Sequence, residues 1–142
     1  MKLPPDSPDR SITSRSSEVS RAYTVLLAED EELLRGVTAL VLRRAGYQVL
    51  EAATTNAAHD AAAHSDCPVD LLIADIGLPQ IGGMRLFHEL ANSDPEMKAV
   101  FISGYTQAMV CDVPQLPPGT TFLEKPFEPT ALLEIISQLL VR

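Results

Sequence analysis

Five short apolar segments alternate with segments of helical pattern from residue 23 onward, and this alternation limits the chain to a small set of folds. The apolar segments are rich in Val, Ile, Leu and Phe, as expected of strands buried in a sheet. They are TVLLA (24–28), YQVLEA (47–52), VDLLIAD (69–75), KAVFIS (98–103) and TFLEK (121–125). Repeated strand–helix units predict an α/β fold, a doubly wound five-stranded parallel sheet with helices on both faces.

The helical segments differ in the clarity of their patterns. In the first, Leu33, Val37, Leu40 and Val41 share one side and are predicted to form its buried face. The second is Ala-rich, and one of the threonines at 54–55 is placed to cap it. The segment between the fourth and fifth strands has three prolines in its second half. It predicts a short or irregular fourth helix, because proline clashes with the preceding turn and lacks a donor.

The composition argues against several functions. The chain has 142 residues, 46% hydrophobic and 21% charged, which is typical of one soluble globular domain. Its formal net charge of −8 argues against binding to nucleic acid or an anionic membrane, since phosphate binding depends on Lys and Arg. No apolar run approaches the length of about 20 residues that crosses a bilayer. Cys67 and Cys111 match no metal-binding spacing and indicate a reducing, cytoplasmic location.

The chain is predicted to divide into a tail, residues 1–22, and one domain, residues 23–142. The first 21 residues contain six Ser and three Pro and almost no large apolar side chains. Such a segment cannot bury enough surface to offset the entropy of ordering it, and it lacks the apolar core of a secretory signal. We expect it to be flexible.

Reactive side chains follow four of the five predicted strands. Glu29 and Asp30 follow the first, Asp75 ends the third, Ser103 ends the fourth and Lys125 ends the fifth. Because sites in open parallel sheets form at the carboxyl ends of the strands, we expect these side chains to meet at one edge. Capping of the next helix is the alternative role for such acids, and residues 31–32 are expected to lie in a first helical turn, where the dipole favours them.

Three acids, a hydroxyl and a lysine support a narrow range of chemistry. Carboxylates and backbone carbonyls form an oxygen-rich site for a hard cation such as Mg²⁺, with Mn²⁺ as an alternative. A lysine can hold a phosphate oxygen, and a carboxylate can itself be the nucleophile that forms an aspartyl phosphate. A cation and a lysine would together neutralise the charge of a transferring phosphoryl group.

Four motifs carry a family resemblance. AEDEE (28–32), LLIADIGLP (71–79), VFISGYT (100–106) and FLEKPF (122–127), in this order and spacing, resemble the response-regulator receiver domain of two-component signalling. The second pair of motifs is particularly similar to receivers that belong to hybrid histidine kinases or work with them. The resemblance covers residues 23–142 and implies the flavodoxin-like strand order 2-1-3-4-5.

The resemblance also implies roles for the acids at the sheet edge. Asp75 matches the phosphoacceptor, Asp30 matches the direct Mg²⁺ ligand, and Glu29 matches the neighbour that usually binds the ion through water. Gly77 matches the position whose backbone carbonyl completes the metal site.

Three further positions match residues that contact or follow the phosphoryl group. Ser103 matches the hydroxyl that turns inward to it, and Lys125 matches the lysine that pairs with it. Phe122 stands where many receivers have a tyrosine that swings inward, so Ser103 and Phe122 are the expected switch pair. The bond between Lys125 and Pro126 is expected to be cis.

A receiver of this kind is expected to take a phosphoryl group onto Asp75, with Mg²⁺, from a phosphohistidine on a histidine kinase or histidine phosphotransfer domain. We expect no output domain in this chain, an unknown downstream partner, no nucleic acid or membrane partner, and a cytoplasmic monomer. It is not expected to be an enzyme beyond self-phosphorylation from small donors and self-dephosphorylation.

Two alternatives remain open from the sequence. The first is a degenerate receiver that binds a protein partner without phosphorylation, because Phe122 and the proline-rich segment depart from the family pattern. The second is a phosphatase with an aspartyl nucleophile, but such enzymes usually have a second acid two residues later, where this chain has Gly77.

Overall fold

The sheet has five parallel strands, as the strand–helix alternation predicts, and their order is 2-1-3-4-5, as the family resemblance implies. A computed structural model describes residues 22–104 and 116–140. The strands are β1 (Thr24–Ala28), β2 (Gln48–Ala52), β3 (Leu71–Asp75), β4 (Lys98–Ser103) and β5 (Thr120–Glu124). In the described residues the helices are α1 (Glu32–Arg44), α2 (Thr55–Ala63), α3 (Gly83–Ala91) and α4 (Pro129–Leu139).

Two expectations concern residues outside the described ranges. The helix predicted between the fourth and fifth strands falls mostly in residues 105–115, and the predicted tail falls almost entirely in residues 1–21. In the part of the chain that the structure describes, no helix has the length and apolar character needed to cross a membrane.

The central strands β1, β3 and β4 are buried on both faces, and their alternate side chains enter two separate cores. Leu26, Leu72 and Phe101 pack on one face of the sheet beneath α2 and α3. On the other face, α1 and α4 cover a second core that contains Val25 and Ile73. Side chains in the middle of these three strands enter one core or the other, so a charged side chain there would be buried. This is why the three strands are continuously apolar.

The strand register brings the carboxyl ends of the strands together. Asp75 of β3 pairs with Ile102 of β4, and Ser103 of β4 pairs with Glu124 of β5. Beyond the end of β5, the Lys125 backbone N–H donates to the carbonyl of Ser103 over 2.8 Å. The edge at which Asp75, Ser103 and Lys125 lie is thus fixed by backbone pairing.

The prediction of which face of α1 is buried is wrong. Leu33, Val37 and Leu40 are 78%, 47% and 50% exposed. The fully buried residues are Thr38, Ala39 and Leu42 instead, and Val41 is half-buried. The face that packs on the sheet contains the small side chains of Thr38 and Ala39, which let the helix lie close to the sheet. The larger apolar side chains at 33, 37 and 40 face away from it.

Arg35 fixes the rotation of α1 about its axis. Its Nη1 donates to the carbonyl oxygen of Glu29 over 2.9 Å, and its Nε lies 3.5 Å from a carboxylate oxygen of Glu51 on β2. These contacts tie the helix to the ends of two strands. The stripe of Leu33, Val37 and Leu40, here called the α1 stripe, is consequently turned outward.

The start of α3 presses against the end of β3. A Cβ on Gly83 would lie 2.5 Å from the carbonyl oxygen of Asp75 and 3.0 Å from the Cβ of Ala74. Those distances are too short for any side chain, so a substitution at Gly83 must displace backbone that carries Asp75.

Gly83→Ala is expected to lower the free energy of unfolding by about 1–3 kcal/mol, because overpacking forces a backbone shift. Gly36→Ala is the matched control: nothing lies within 4 Å of the position that a methyl group would take there, and Gly36 is exposed in the middle of α1. The control should raise stability by roughly 1 kcal/mol, since Ala is the better helix former. Urea unfolding measures both, and changes of the same sign would contradict the packing argument.

Candidate functional site

Three carboxylates meet at the carboxyl edge of the sheet. Glu29, Asp30 and Asp75 each offer a carboxylate oxygen, and these oxygens all lie within 4.8 Å of one another. Glu29 and Asp75 are only 3% and 7% exposed, whereas Asp30 is exposed. The three acids therefore meet at one edge, as the strand ends predict, and two of them are buried while Asp30 faces solvent.

Lys125 lies between the two buried acids. Its Nζ donates to Oδ2 of Asp75 over 2.9 Å and lies 3.3 Å from Oε1 of Glu29. Glu31 is farther away, with its Oε1 at 3.8 Å from the same nitrogen. The peptide bond between Lys125 and Pro126 is cis, as expected.

Backbone N–H groups hold the other oxygen of each buried acid. The N–H of Gly77 donates to Oδ1 of Asp75 over 2.9 Å. The N–H of Glu31 donates to Oε2 of Glu29 over 3.0 Å. In each buried carboxylate, one oxygen accepts from a backbone N–H and the other contacts the Lys125 ammonium. These contacts fix the orientation of both carboxylate groups.

Burial and the crowding of charges change the ionisation of this cluster. Burial raises the pKa of Glu29 and the negative charge of Asp75 raises it further, although the N–H of Glu31 and the Lys125 ammonium act in the opposite direction. Burial alone would lower the pKa of Lys125. Its hydrogen bond to Asp75 and the charges of both acids outweigh burial, so the pKa of Lys125 is raised and the ammonium is kept charged.

The donor set fits a hard divalent cation. One ammonium, that of Lys125, accompanies three carboxyl groups in the cluster, so acidic groups outnumber basic ones there. Glu29, Asp30 and Asp75 supply carboxylate oxygens, and Gly77 is exposed beside them and has no side chain to block its carbonyl. Oxygen donors with access to water are what Mg²⁺ requires.

Ser103 ends β4 at the edge where the acids lie, and Phe122 lies two residues before the end of β5. Ser103 is 4% exposed, and its hydroxyl donates to the carbonyl of Gly104 over 3.1 Å. Phe122 is half-buried and packs at a tilt on Phe101, with 6.0 Å between ring centroids. Their roles as a switch pair stay predictions.

Sequence reasoning missed two contacts of the site. Glu32 lies in the first turn of α1 as expected, but Glu31 is the N-cap residue and makes no side-chain cap hydrogen bond. Glu31 turns its carboxylate towards Lys125 instead. The contact of Arg35 with the carbonyl of Glu29 was also missed, because a side chain that reaches a backbone oxygen leaves no pattern in the sequence.

A parallel sheet of order 2-1-3-4-5 with clustered acids and a lysine at its carboxyl edge defines the receiver class of signalling domains. A family model for the response regulator receiver domain matches residues 25–137. The sensor kinase CckA of Brucella abortus is 33% identical over 128 residues, which are 89% of this chain and 13% of CckA. The receiver protein CpdR of the same organism is 29% identical over 82% of this chain and 96% of its own length.

Solved structures agree with this result. The crystal structure of the receiver domain from the hybrid histidine kinase CckA has a TM-score of 0.70 at 33% identity, covering 83% of this chain and 99% of that domain. A response regulator receiver protein from Sinorhizobium medicae also has a TM-score of 0.70, at 30% identity and with 84% of this chain covered. The chain belongs to the response-regulator receiver domain family of two-component signalling.

Proposed function

We propose that this chain accepts a phosphoryl group on Asp75 from a phosphohistidine, with Mg²⁺ held by Glu29, Asp30, Asp75 and the carbonyl of Gly77. The observation that carries the proposal is the arrangement at Asp75. Its carboxylate is buried, oriented by one N–H and one ammonium, and within 4.8 Å of two further acids. An acid that served only as a helix cap would not need this surrounding.

In the proposed reaction, a carboxylate oxygen of Asp75 attacks phosphorus and the P–N bond of the donor breaks. The imidazole leaves and takes up a proton, so neutral histidine and an acyl phosphate result. The Lys125 ammonium would then contact the phosphoryl oxygens in place of the carboxylate. The Ser103 hydroxyl, at the end of the neighbouring strand β4, is proposed to donate to the same oxygens. A bound Mg²⁺ would supply positive charge that stabilises the phosphoryl oxygens during transfer.

Phosphoramidate tests this proposal because it carries the same P–N bond as phosphohistidine. With Mg²⁺, intact mass measurement is expected to show one phosphoryl group added per chain, and removal of the metal with EDTA is expected to abolish the adduct. Absence of an adduct together with failure to bind beryllofluoride would contradict the proposal. Binding of beryllofluoride without an adduct would indicate rapid self-hydrolysis.

The donor is proposed to be a histidine kinase or a histidine phosphotransfer domain, which fits the similarity to the receiver domain of the hybrid histidine kinase CckA. It has to bring its histidine to Asp75, and an apolar groove of about 540 Å³ is lined in part by Lys125, which donates to Asp75. Leu33 and Val37 of the α1 stripe line the groove together with Lys125, Pro126 and Phe127. We propose that a helix of the donor packs in this groove and places its phosphohistidine over the acids.

Leu33→Ser combined with Val37→Ser is expected to slow transfer from a histidine kinase or phosphotransfer domain that phosphorylates the unchanged protein. The loss should be at least about tenfold, because central apolar contacts dominate interface energies. The rate with phosphoramidate should be unchanged, since a small donor needs no docking surface. Equal loss with both donors would show damage to the site, and no loss with either would exclude the groove as the docking surface.

In keeping with the receiver class, we propose a cytoplasmic signalling module whose chemistry is limited to accepting the phosphoryl group from partners or small donors and losing it by hydrolysis. The proposed domain covers residues 23–142, and the family match at residues 25–137 supports those bounds.

A further inference from the structure

The loop that follows Asp75 is fastened to the start of α2 by three hydrogen bonds. The N–H of Asn56 donates to Oε1 of Gln80 over 2.8 Å, and the Thr55 hydroxyl donates to the same oxygen over 3.0 Å. The N–H of Thr55 makes a longer bond, 3.5 Å, to the carbonyl of Pro79. The side-chain amide of Gln80 therefore joins the loop that follows Asp75 to the N-terminal end of α2.

These bonds provide acceptors for backbone N–H groups in the first turn of α2. The first N–H groups of a helix have no partner within it. In α2, the hydroxyl of Thr54 accepts from Ala57 over 3.1 Å, so the helix provides one of its own caps. The N–H groups of Thr55 and Asn56 are satisfied by the loop instead. The start of α2 and the loop consequently hold each other in place.

Gln80 makes these contacts from an unfavourable backbone conformation. Its φ is +88°, in the left-handed region that residues with a Cβ rarely adopt. Such a conformation persists where the surrounding structure enforces it, and it is a reason to look for a function. Here the enforcing contacts are visible: Thr55 is 1% exposed, so its hydroxyl is buried against the amide of Gln80.

The other end of the same loop is fastened to Asp75. The N–H of Gly77 donates to Oδ1 of Asp75, and the N–H of Leu78 donates to the carbonyl of Asp75 over 3.0 Å. Residues 76–80 are thus held between the acceptor at one end and α2 at the other. Gly77, which contributes an N–H to the acceptor and whose carbonyl is a proposed metal ligand, lies within this span.

We propose that Gln80 is a positioning residue for the metal and phosphoacceptor site: its amide anchors the loop on α2 and so fixes Gly77 beside Asp75. This inference rests on the proposed function, because the site that it positions is the proposed one. Gln80 itself contacts neither Asp75 nor the other two acids in the described hydrogen bonds and ion pairs, and it acts through the loop.

Gln80→Gly tests the anchor, since Gly removes the amide while tolerating the left-handed backbone. Mg²⁺ affinity, measured by calorimetry on the full chain, is expected to fall about tenfold, as it does when groups that orient metal ligands are removed. Thr54→Ala is the matched control because it removes a cap hydrogen bond from the same helix end but none of the three hydrogen bonds to the loop. It should lower the melting temperature at least as much as Gln80→Gly and leave Mg²⁺ affinity unchanged.

Hydrogen exchange of the unchanged protein gives a second test that needs no variant. If the loop couples the site to α2, Mg²⁺ binding and the hydrogen bond from the Asn56 backbone N–H to Gln80 stabilise each other by the same free energy. Bound Mg²⁺ must then make that hydrogen bond harder to open. By NMR, Mg²⁺ is expected to slow exchange at Asn56 several-fold more than at Ala57, whose partner is Thr54. Equal slowing at both amides would overturn the proposal.

The outcomes separate this inference from the proposed function. If the unchanged protein binds no Mg²⁺, the proposed function fails and the inference fails with it. If it binds Mg²⁺ and Gln80→Gly binds equally well, or if Thr54→Ala loses as much affinity, Gln80 is only a helix cap and the proposed function stands.

Discussion

Asp75→Asn is expected to lower the rate of phosphorylation by phosphoramidate at least about a thousandfold, because an amide cannot replace the carboxylate nucleophile. Asn has nearly the same shape and can keep a hydrogen bond from Gly77, so the fold should persist. The rate is measured from the mass adduct over time in the presence of Mg²⁺.

Asp94→Asn is the matched control for that change. Asp94 lies beyond the C-terminal end of α3 and lines a separate cavity with Cys67 and Met97. Its substitution should leave the rate of phosphorylation unchanged. A phosphoryl adduct of undiminished rate on the Asp75→Asn variant would show that another residue is the acceptor.

Lys125→Met is expected to slow phosphorylation by about 100-fold or more, because it removes the one ammonium within hydrogen-bonding distance of Asp75 in the described residues. Met has a similar length and apolar stem, so the change removes charge with little loss of packing. The variant also leaves Glu29 and Asp75 facing each other without the ammonium between them.

The same measurement on Lys98→Met provides the comparison for Lys125→Met. Lys98 is the first residue of β4 and Ser103 is the last, so Lys98 lies at the end of the strand away from the site. Its side chain lies against Gly119. This variant loses an equal charge from the whole chain but none from the site. Equal rates in the two variants would refute the role given to Lys125.

Much of the fold could be predicted because the strands are buried on both faces. β1 and β4 begin and end at the predicted residues, and β3 ends at Asp75 as predicted but begins at Leu71, two residues later than predicted. The gathering of acids and lysine could be predicted for a related reason. Parallel strands share one carboxyl edge, so residues that follow different strands must come together there.

The rotation of α1 could not be predicted from periodicity. Leu33, Val37 and Leu40 form one stripe at helical spacing, but Thr38 and Leu42 lie on the face that is buried. The choice between them depends on how closely the helix can approach the sheet and on the contact of Arg35 with Glu29. Neither is a property of the helix sequence alone.

The anchoring of the loop by Gln80 was also beyond prediction. Gln80 and Asn56 are 24 residues apart in the chain, and they meet because Gln80 follows β3 and Asn56 follows β2 at the same carboxyl edge of the parallel sheet. Asn and Gly favour a left-handed backbone, but Gln carries no such signal. Its conformation and its partners both follow from the tertiary fold.

Locating the phosphoryl group tests the central claim most directly. Sodium borohydride reduces an acyl phosphate to an alcohol but leaves phosphohistidine intact, and peptide mass mapping then identifies the altered residue. After phosphoramidate treatment with Mg²⁺, we expect reduction at Asp75 and at no other acid. An adduct that resists borohydride, or a reduced residue at any other position, would contradict the assignment of Asp75 as the phosphoacceptor.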